Sequence, residues 1–298
     1  MENTVRLIVF TFILLTLIAW IGYLFAGVPG LITLVCIGII QAFILYKQAT
    51  SILLRAFNAR EVNASSSPYL YQAIAELVER AHIPMPNIYE INAAQPNAFV
   101  VGQNSKQAAL IVTTQLLVCL NGRELRAILA HEIVHIQRND CLNSMIASLI
   151  VGKMTDFTQK MNNFFPEENF LKISKNQNKN KNFSRSLKNI TFVLSWMLSI
   201  IAAIMLHIVI SRNREYVADQ KGAELCQDPD ALVKALQKIY HLTHSMPFNF
   251  AYFNLASKHA FTVYPACDEE LYEIYQTQPT IEQRVKRLLL AQGQSDDT

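Results

Sequence analysis

The first long apolar run of the chain extends from Leu7 to Tyr46 and contains no Asp, Glu, Lys or Arg. A helix rises about 1.5 Å per residue, so this run is long enough to cross a hydrocarbon core of about 30 Å twice. The turn-forming sequence Gly27-Val28-Pro29-Gly30 divides it near its middle. The pattern predicts a transmembrane helical hairpin over residues 1–47. A cleaved signal peptide would have a much shorter apolar region.

Two further apolar stretches follow later in the chain. Asn189–Ser211 has no charged residue and is long enough for one span. Cys141–Gly152 is too short alone, and spans only if its helix continues to about residue 157 with Lys153 reaching the interface. The Lys- and Asn-rich segment 172–188 between them is predicted to be a loop, with an RNA- or lipid-binding patch as the alternative.

The remaining segments have the periodicities of a small folded domain. Apolar residues recur on one helical face over Tyr69–Ala81, and three short segments have the composition of strands: Asn87–Asn92, Asn97–Gly102 and Ala108–Thr113. Helix-start signals occur at Asn121 with Glu124, at Asp228 with Pro229, and at Thr280, whose helix should run to about Ala291. The predicted fold class is mainly α with a small β-sheet.

Composition and charge favour a membrane protein and give no sign of a nucleic-acid partner or of a disulfide framework. Charged residues make up 16% of the chain, against about a quarter in soluble domains. The net charge of +3 gives no reason to expect a nucleic-acid partner, and the five cysteines show no CxxC spacing or paired framework. Lys47, Arg55 and Arg60 follow the predicted hairpin, which favours a cytoplasmic location for both of its ends.

The segment His131-Glu132-Ile133-Val134-His135 is an HExxH motif. Two histidines four residues apart lie on one face of a helix, so both imidazoles can bind one ion. Zinc accepts nitrogen ligands and leaves a position for water in catalytic sites. Glu132 is offset from that face and is suited to act as a general base. The alternative is a pair of surface histidines on an amphipathic helix.

A hydrolytic zinc site needs a third protein ligand, and Glu215 is a candidate. Glu215 and Asp219 are four residues apart and share one helical face. One carboxylate can bind the ion while the other accepts a hydrogen bond from a ligand histidine. On spacing alone, a solvated surface carboxylate remains an equal alternative for Glu215.

Four ordered motifs are similar to those of the HtpX-like membrane metallopeptidases, relatives of the CAAX prenyl proteases among the thermolysin-like zinc enzymes. They are PNAFVVG (96–102), ELRAILAHEIVHIQRND (124–140), SRNREYVAD (211–219) and QPTIEQRVKRL (278–288). The resemblance implies transmembrane helices plus a gluzincin-type metallopeptidase domain. It also implies that Glu215 is the third zinc ligand and that Asp219 holds a ligand histidine.

The same resemblance suggests further site residues. It implies an edge strand at NAFxxG, where Asn97, Ala98 and Phe99 would contact an extended peptide; a purely structural strand is the alternative. Arg284 would pair with a site carboxylate or simply pack as an ion-pair partner. Independently of the resemblance, His207 lies near the end of an apolar helix, where an ionisable residue is either functional or interfacial. The chain departs from the family at Gln278-Pro279, where His-Pro is common.

The predicted metal site constrains the topology. His131 and Glu215 can bind one ion only on the same side of a membrane, so the chain must cross it an even number of times between Asp140 and Arg212. The basic residues of the intervening loop favour no crossing, whereas the resemblance favours two. We predict four spans. The predicted divisions of the chain are a transmembrane hairpin (1–47), two halves of a catalytic domain (48–140 and 212–298), and membrane segments with a basic linker (141–211).

These observations lead to one functional hypothesis and one alternative. The hypothesis is an inner-membrane zinc endopeptidase with one Zn²⁺ and a cytoplasmic active site, which cleaves membrane or misfolded proteins in protein quality control. Its expected partners are protein or peptide substrates and membrane lipid, and the sequence does not indicate an oligomeric state. The alternative is a non-catalytic membrane scaffold that contains zinc.

Overall fold

A computed structural model describes residues 2–142, 212–245 and 279–295 of the chain. Its first element, α1, extends over Glu2–Ala56 and is interrupted at Ala26 and Gly27, where the predicted turn begins. Gly27 has a positive φ of 61°, which glycine adopts without steric cost. The two arms approach so closely at Gly22 and Gly30 that a Cβ atom at either position would collide with the other arm. Small residues therefore permit this close crossing.

Only part of the predicted membrane region lies within the described residues. Within residues 2–142, 212–245 and 279–295, no helix meets the length and apolarity required to cross a membrane. The span predicted at 189–211 lies outside these ranges, as does all of 141–157 except Cys141 and Leu142. The linker 172–188, His207 and Gln278 also lie outside the described residues.

The described strands form one mixed sheet in the order β1-β2-β4-β3. They are β1 (Arg60–Val62), β2 (Asn87–Ile91), β3 (Ala98–Val101) and β4 (Ala109–Thr113). β2 and β4 are parallel, and β1 and β3 pair antiparallel with β2 and β4 respectively. The three strands predicted from sequence are present, and β3 forms an edge of this sheet. The fold is mainly helical with a small mixed sheet, as predicted.

Within the described ranges, six α-helices follow α1, and local signals explain where several of them begin. In the capping box of α4, the Asn121 side chain accepts a hydrogen bond from the Glu124 backbone N–H, and the Glu124 carboxylate accepts one from the Asn121 N–H. The helices are α2 (Pro68–Ala81), α3 (Thr114–Cys119), α4 (Gly122–Gln137), α5 (Arg212–Cys226), α6 (Pro229–Ser245) and α7 (Ile281–Ser295).

Both faces of the sheet are covered, because successive strand residues point to opposite sides. Ala98, Val100, Leu110 and Val112 belong to the main core, which the sheet shares with α2, α4 and α6. Phe99, Val101 and Ile111 point the other way and pack with Ala49, Leu53 and Phe57 at the end of α1. The end of α1 thus packs on one face of the sheet, and the predicted boundary at residue 47 lies inside α1.

Candidate metal centre

Helix α4 carries both histidines of the HExxH motif toward α5. His131 and His135 are one helical turn apart and buried, and their rings meet edge to face with centroids 4.8 Å apart. Their Nε2 atoms are 3.2 Å from each other. The histidines are therefore part of the interior, which excludes the alternative of a solvent-exposed surface pair.

Helix α5 brings Glu215 to the same point. Its Oε2 atom lies 3.6 Å from His131 Nε2 and 3.7 Å from His135 Nε2. Tetrahedral ligands about 2.1 Å from a zinc ion are about 3.4 Å from one another. The three observed separations are close to that value, so the residues present fit a metal ion. The alternative of Glu215 as a solvated surface carboxylate does not apply, because Glu215 is buried.

A glycine permits this approach of α5 to α4. Gly222 lies seven residues after Glu215 on the same face of α5. A Cβ atom added there would be 2.9 Å from His131 Cα and 3.0 Å from His131 N. The backbone of α5 therefore contacts α4 directly beside one of the three candidate ligands.

Asp219 and Arg284 form a buried ion pair behind His131. Asp219 Oδ1 is 3.0 Å from His131 Nδ1. Arg284, on α7, donates from Nε to Asp219 Oδ2 at 2.7 Å and from Nη2 to Asp219 Oδ1 at 2.5 Å. The Arg284 side chain is 1% exposed, and its Nη2 atom is also 3.5 Å from His131 Nε2. The structure thus brings together both residues that the resemblance singled out near the ligands.

Asp140 is a neighbour of His135 that sequence reasoning did not identify. Its Oδ2 atom is 3.4 Å from His135 Nδ1 and accepts a hydrogen bond from Arg138 Nε at 3.1 Å. Asn139 adopts a positive φ of 56°, and the Asp140 N–H then donates to the His135 carbonyl. Asparagine tolerates this left-handed conformation better than most residues. The Asn-Asp pair just after the helix was the available signal.

Arg214 is the second residue that sequence reasoning missed. Its Nε atom donates to Glu215 Oε1 at 2.9 Å, and its side chain is 6% exposed. Neighbouring residues on a helix do not normally face each other, so spacing gave no reason to connect the two. The only signal was a charged residue directly before the candidate ligand.

The electrostatics of the centre stabilise ionised carboxylates beside the histidines. Burial disfavours the charged form of His135, but Glu215 and Asp140 outweigh it and raise the pKa of His135 to about 9. Burial likewise opposes ionisation of Glu215, yet His135 and His131 hold the pKa of its carboxyl well below the usual range. Burial also opposes ionisation of Asp219, and Arg284 lowers the pKa of that carboxyl. Glu215 is thus held in the ionised form in which a carboxylate binds a divalent cation.

Glu132 lies beside these groups. It is buried next to His131 on α4. Burial lowers the pKa of Arg284, whereas the negative charges of Asp219, Glu215 and Glu132 raise it above its ordinary value. Glu132 therefore contributes its charge to the same cluster.

The predicted substrate-contacting residues Asn97, Ala98 and Phe99 are buried at the start of β3. The Asn97 N–H donates to Thr113 Oγ1 at 2.8 Å, and the Asn97 carbonyl accepts from the Thr113 N–H at 3.0 Å. The Asn97 side chain accepts from the Ala98 N–H at 3.0 Å. These bonds fix the strand against β4, and β3 also contacts α4, which carries the HExxH motif.

Comparison with known families matches residues 64–291 to the family described as Peptidase family M48. The chain belongs to peptidase family M48. The matched range includes α4, α5 and most of α7, and therefore every residue of the centre. The resemblance to HtpX-like peptidases that the motifs indicated is confirmed by the relatives of this M48 peptidase.

Among proteins similar to this M48 peptidase is "Protease HtpX homolog" of Ralstonia pickettii (strain 12J), which is 34% identical over 269 residues. The protein of the same name from Burkholderia thailandensis is 32% identical over 269 residues, and in both cases the match covers 90% of each chain. A solved structure, S. mikatae Ste24p, is 17% identical with a TM-score of 0.48. That match covers 96% of this chain and 65% of Ste24p.

Proposed function

We propose that this chain is a membrane-integrated zinc endopeptidase that hydrolyses peptide bonds of membrane or misfolded proteins. His131, His135 and Glu215 bind one Zn²⁺, and Glu132 is the general base. The observation that carries the proposal is the convergence of Nε2, Nε2 and Oε2 from these three ligands, 3.2–3.7 Å apart in the interior of an M48 peptidase.

The residues of the centre have distinct parts in hydrolysis. When bound, the zinc ion acts as a Lewis acid toward the scissile carbonyl and makes water a stronger acid. Glu132 takes a proton from water as the hydroxyl oxygen bonds to the carbonyl carbon, and delivers it to the amine nitrogen as the C–N bond breaks. The Asp219 carboxylate, whose Oδ1 is 3.0 Å from His131 Nδ1, favours the proton on that nitrogen and so keeps Nε2 free to bind the ion.

We assign the substrate-binding edge to β3, with Asn97, Ala98 and Phe99. A protein segment in extended conformation adds to a sheet edge through main-chain hydrogen bonds. β3 forms one edge of the described sheet and contacts α4, so a strand added there would lie beside the HExxH helix. Arg284, paired with Asp219, supports the centre from the opposite helix, α7. His207 is retained as a candidate from the sequence.

The membrane location rests on the hairpin. The charge-free run Leu7–Tyr46 and the reversal at Gly27 suit two spans. Large apolar side chains on both arms are exposed, among them Trp20, Leu24, Ile32 and Phe43. Exposed basic residues follow at the foot of the hairpin, which favours the cytoplasmic side of the inner membrane for the active site. Four spans in all, contact with membrane lipid and a role in protein quality control complete this proposal.

The test compares zinc content and casein cleavage of the full-length protein purified in detergent. We expect one zinc per chain and cleavage by the wild type. Glu132→Gln should retain zinc but lower the cleavage rate by about 10²–10⁴-fold, the contribution of a positioned base. Glu79→Gln, on the exposed face of α2, is the matched control and should behave as wild type.

Three outcomes would contradict the proposal. Undiminished proteolysis by Glu132→Gln would remove the assigned base. A wild-type protein that binds zinc but cleaves neither casein nor itself would favour the non-catalytic scaffold. A wild type without zinc would refute the metal assignment itself.

A further inference from the structure

The carboxylate of Glu215 has a different partner on each oxygen. Oε2 faces the two imidazoles at 3.6 and 3.7 Å. Oε1 accepts a hydrogen bond from Arg214 Nε at 2.9 Å. The side chains of Arg214 and Glu215 are 6% and 3% exposed, so this contact is made away from bulk water.

The placement of Arg214 needs a physical reason. Adjacent residues on a helix diverge, so the Arg214 side chain must turn back to reach its neighbour. A guanidinium group removed from water is unfavourable unless it is paired with good geometry. Pairing with Glu215 compensates for this burial, and it places a fixed, planar donor beside a candidate metal ligand.

We propose that Arg214 is a positioning residue that fixes the Glu215 carboxylate so that Oε2 alone faces the metal. This inference rests on the proposed function, in which Glu215 is a ligand. With Oε1 held by Arg214, Glu215 binds through one oxygen. A coordination position then stays open for water or substrate, as catalytic zinc sites require.

Metal affinity tests this role directly in the full-length protein purified in detergent and stripped of metal with a chelator. Zinc binding is measured by competition with a chromogenic chelator, and the ligand field by the visible spectrum of the Co²⁺ form. Arg214→Met should weaken zinc binding by about ten- to a hundred-fold, the usual effect of losing a partner of a metal ligand. It should also alter the Co²⁺ spectrum.

A double-mutant comparison separates positioning from a general effect on folding. If Arg214 acts through Glu215, Arg214→Met should have little further effect on zinc affinity in a Glu215→Gln background. Arg214→Lys keeps the charge without the planar donor, and it should still bind zinc several-fold more weakly than wild type. Arg123→Met is the matched control, because Arg123 is exposed and pairs with Asp228 on the surface. It should leave zinc affinity unchanged.

The possible results are distinct. Wild-type affinity and an unchanged Co²⁺ spectrum for Arg214→Met would overturn the inference, as would an equal loss in the Glu215→Gln background. If Arg214→Met does not fold, Arg214→Lys decides: wild-type affinity overturns the inference and weaker affinity supports it. A wild-type protein that binds no zinc refutes the proposed function, and this inference falls with it.

Discussion

Each histidine of the centre has its own carboxylate on the nitrogen that faces away from Glu215. His131 Nδ1 is 3.0 Å from Asp219, and His135 Nδ1 is 3.4 Å from Asp140. A carboxylate at Nδ1 keeps the proton on that nitrogen and leaves the Nε2 lone pair for a metal. The arrangement selects the same tautomer at both ligands, although Asp140 lies in the turn after α4 and Asp219 lies on α5, in the other half of the chain.

Replacing Asp140 should therefore weaken metal binding. The Asp140→Asn side chain keeps its shape but loses the charge that orients His135. We expect zinc affinity to fall by about tenfold, the low end of the range for such partners, because the contact is long. Asp219→Asn should have a larger effect. Zinc competition assays measure both, with Asp230→Asn, exposed on α6, as control. An unchanged affinity for Asp140→Asn would show that His135 is oriented without it.

The Asp219–Arg284 pair gives a prediction about stability. Arg284→Met leaves a buried carboxylate without its cation, and losing one partner of a buried pair costs about 3–5 kcal/mol. Combining it with Asp219→Asn removes the orphan charge, so the double variant should be less destabilised than the sum of the two single variants. Denaturant unfolding followed by circular dichroism checks this. Strictly additive losses would contradict a direct pairing of the two charges.

At the scale of helices, the contact of α4 with α5 determines whether the ligands meet. In an isolated helix, Gly222→Ala would be stabilising by up to about 1 kcal/mol, because alanine has a higher helix propensity than glycine. Its methyl group would instead lie 2.9 Å from His131 Cα, and backbone atoms cannot move aside. We expect a net loss of about 1–3 kcal/mol and weaker zinc binding. Lys221→Ala, at an exposed position of the same helix, should lower neither the stability nor the zinc affinity. A stabilised Gly222→Ala protein that binds zinc normally would contradict this close packing.

The start of α6 gives a prediction about pH. Asp228 caps this helix by accepting a hydrogen bond from the Ala231 N–H at 3.1 Å, and it accepts a second from Arg123 Nε at 2.7 Å. The Arg123 bond lowers the pKa of Asp228 below its ordinary value of 3.8. Because the pKa of Asp228 is lower in the folded state, the stability that its ionised carboxylate contributes is complete above pH 3.8. This stability is lost as the pH falls through the lower, folded-state value.

Asp228→Ala should accordingly destabilise the protein by about 1 kcal/mol at pH 7, the usual effect of losing such a cap. Thermal unfolding at a series of pH values measures the difference from wild type. The difference should narrow as the pH falls below 3.8, because the wild-type carboxylate then becomes protonated and loses its charge. A difference that grows on acidification would show that the cap does not depend on the ionised form.

The elements that the sequence predicted and those that it missed differ in their physical basis. The α4 capping box and the Pro229 helix start are local signals, and both elements are present in the structure. β1 and α3 have three and six residues, too few for a periodicity to develop. Spacing within one helix predicted His131 and His135. By contrast, the contact of Arg214 with Glu215 depends on a side chain that turns back along the helix, and the contact of Asp140 with His135 depends on a left-handed turn. No periodic pattern encodes either feature.

Across the whole molecule, the centre joins parts of the chain that are far apart in sequence. His131 on α4 meets Glu215 on α5 and Arg284 on α7, which is 153 residues away. The meeting of His131 and Glu215 agrees with the requirement that both lie on the same side of a membrane. The four membrane spans remain a prediction from the sequence. On the far side of the sheet, Leu53 and Phe57 attach the hairpin helix to the same fold.

Metal removal should therefore affect the stability of the whole fold. An ion bound only by the folded state stabilises it by about 4 kcal/mol when its free concentration is a thousand times Kd. The proposed ligands come from α4 and α5, so chelation removes a link between these two helices and should lower Tm. Glu132→Gln should show the same zinc-dependent rise in Tm as wild type, because Glu132 is not a ligand in the proposed site.

Glu215→Ala separates this effect from a general action of zinc on the protein. It removes the ligand from α5, so added zinc should raise its Tm far less than that of wild type. Differential scanning fluorimetry with and without a chelator measures all three proteins at one concentration. If zinc raised the Tm of Glu215→Ala as much as that of wild type, the ion would be bound elsewhere. The convergence of α4 and α5 would then depend on helix packing at Gly222 and on the contact of Asp219 with His131.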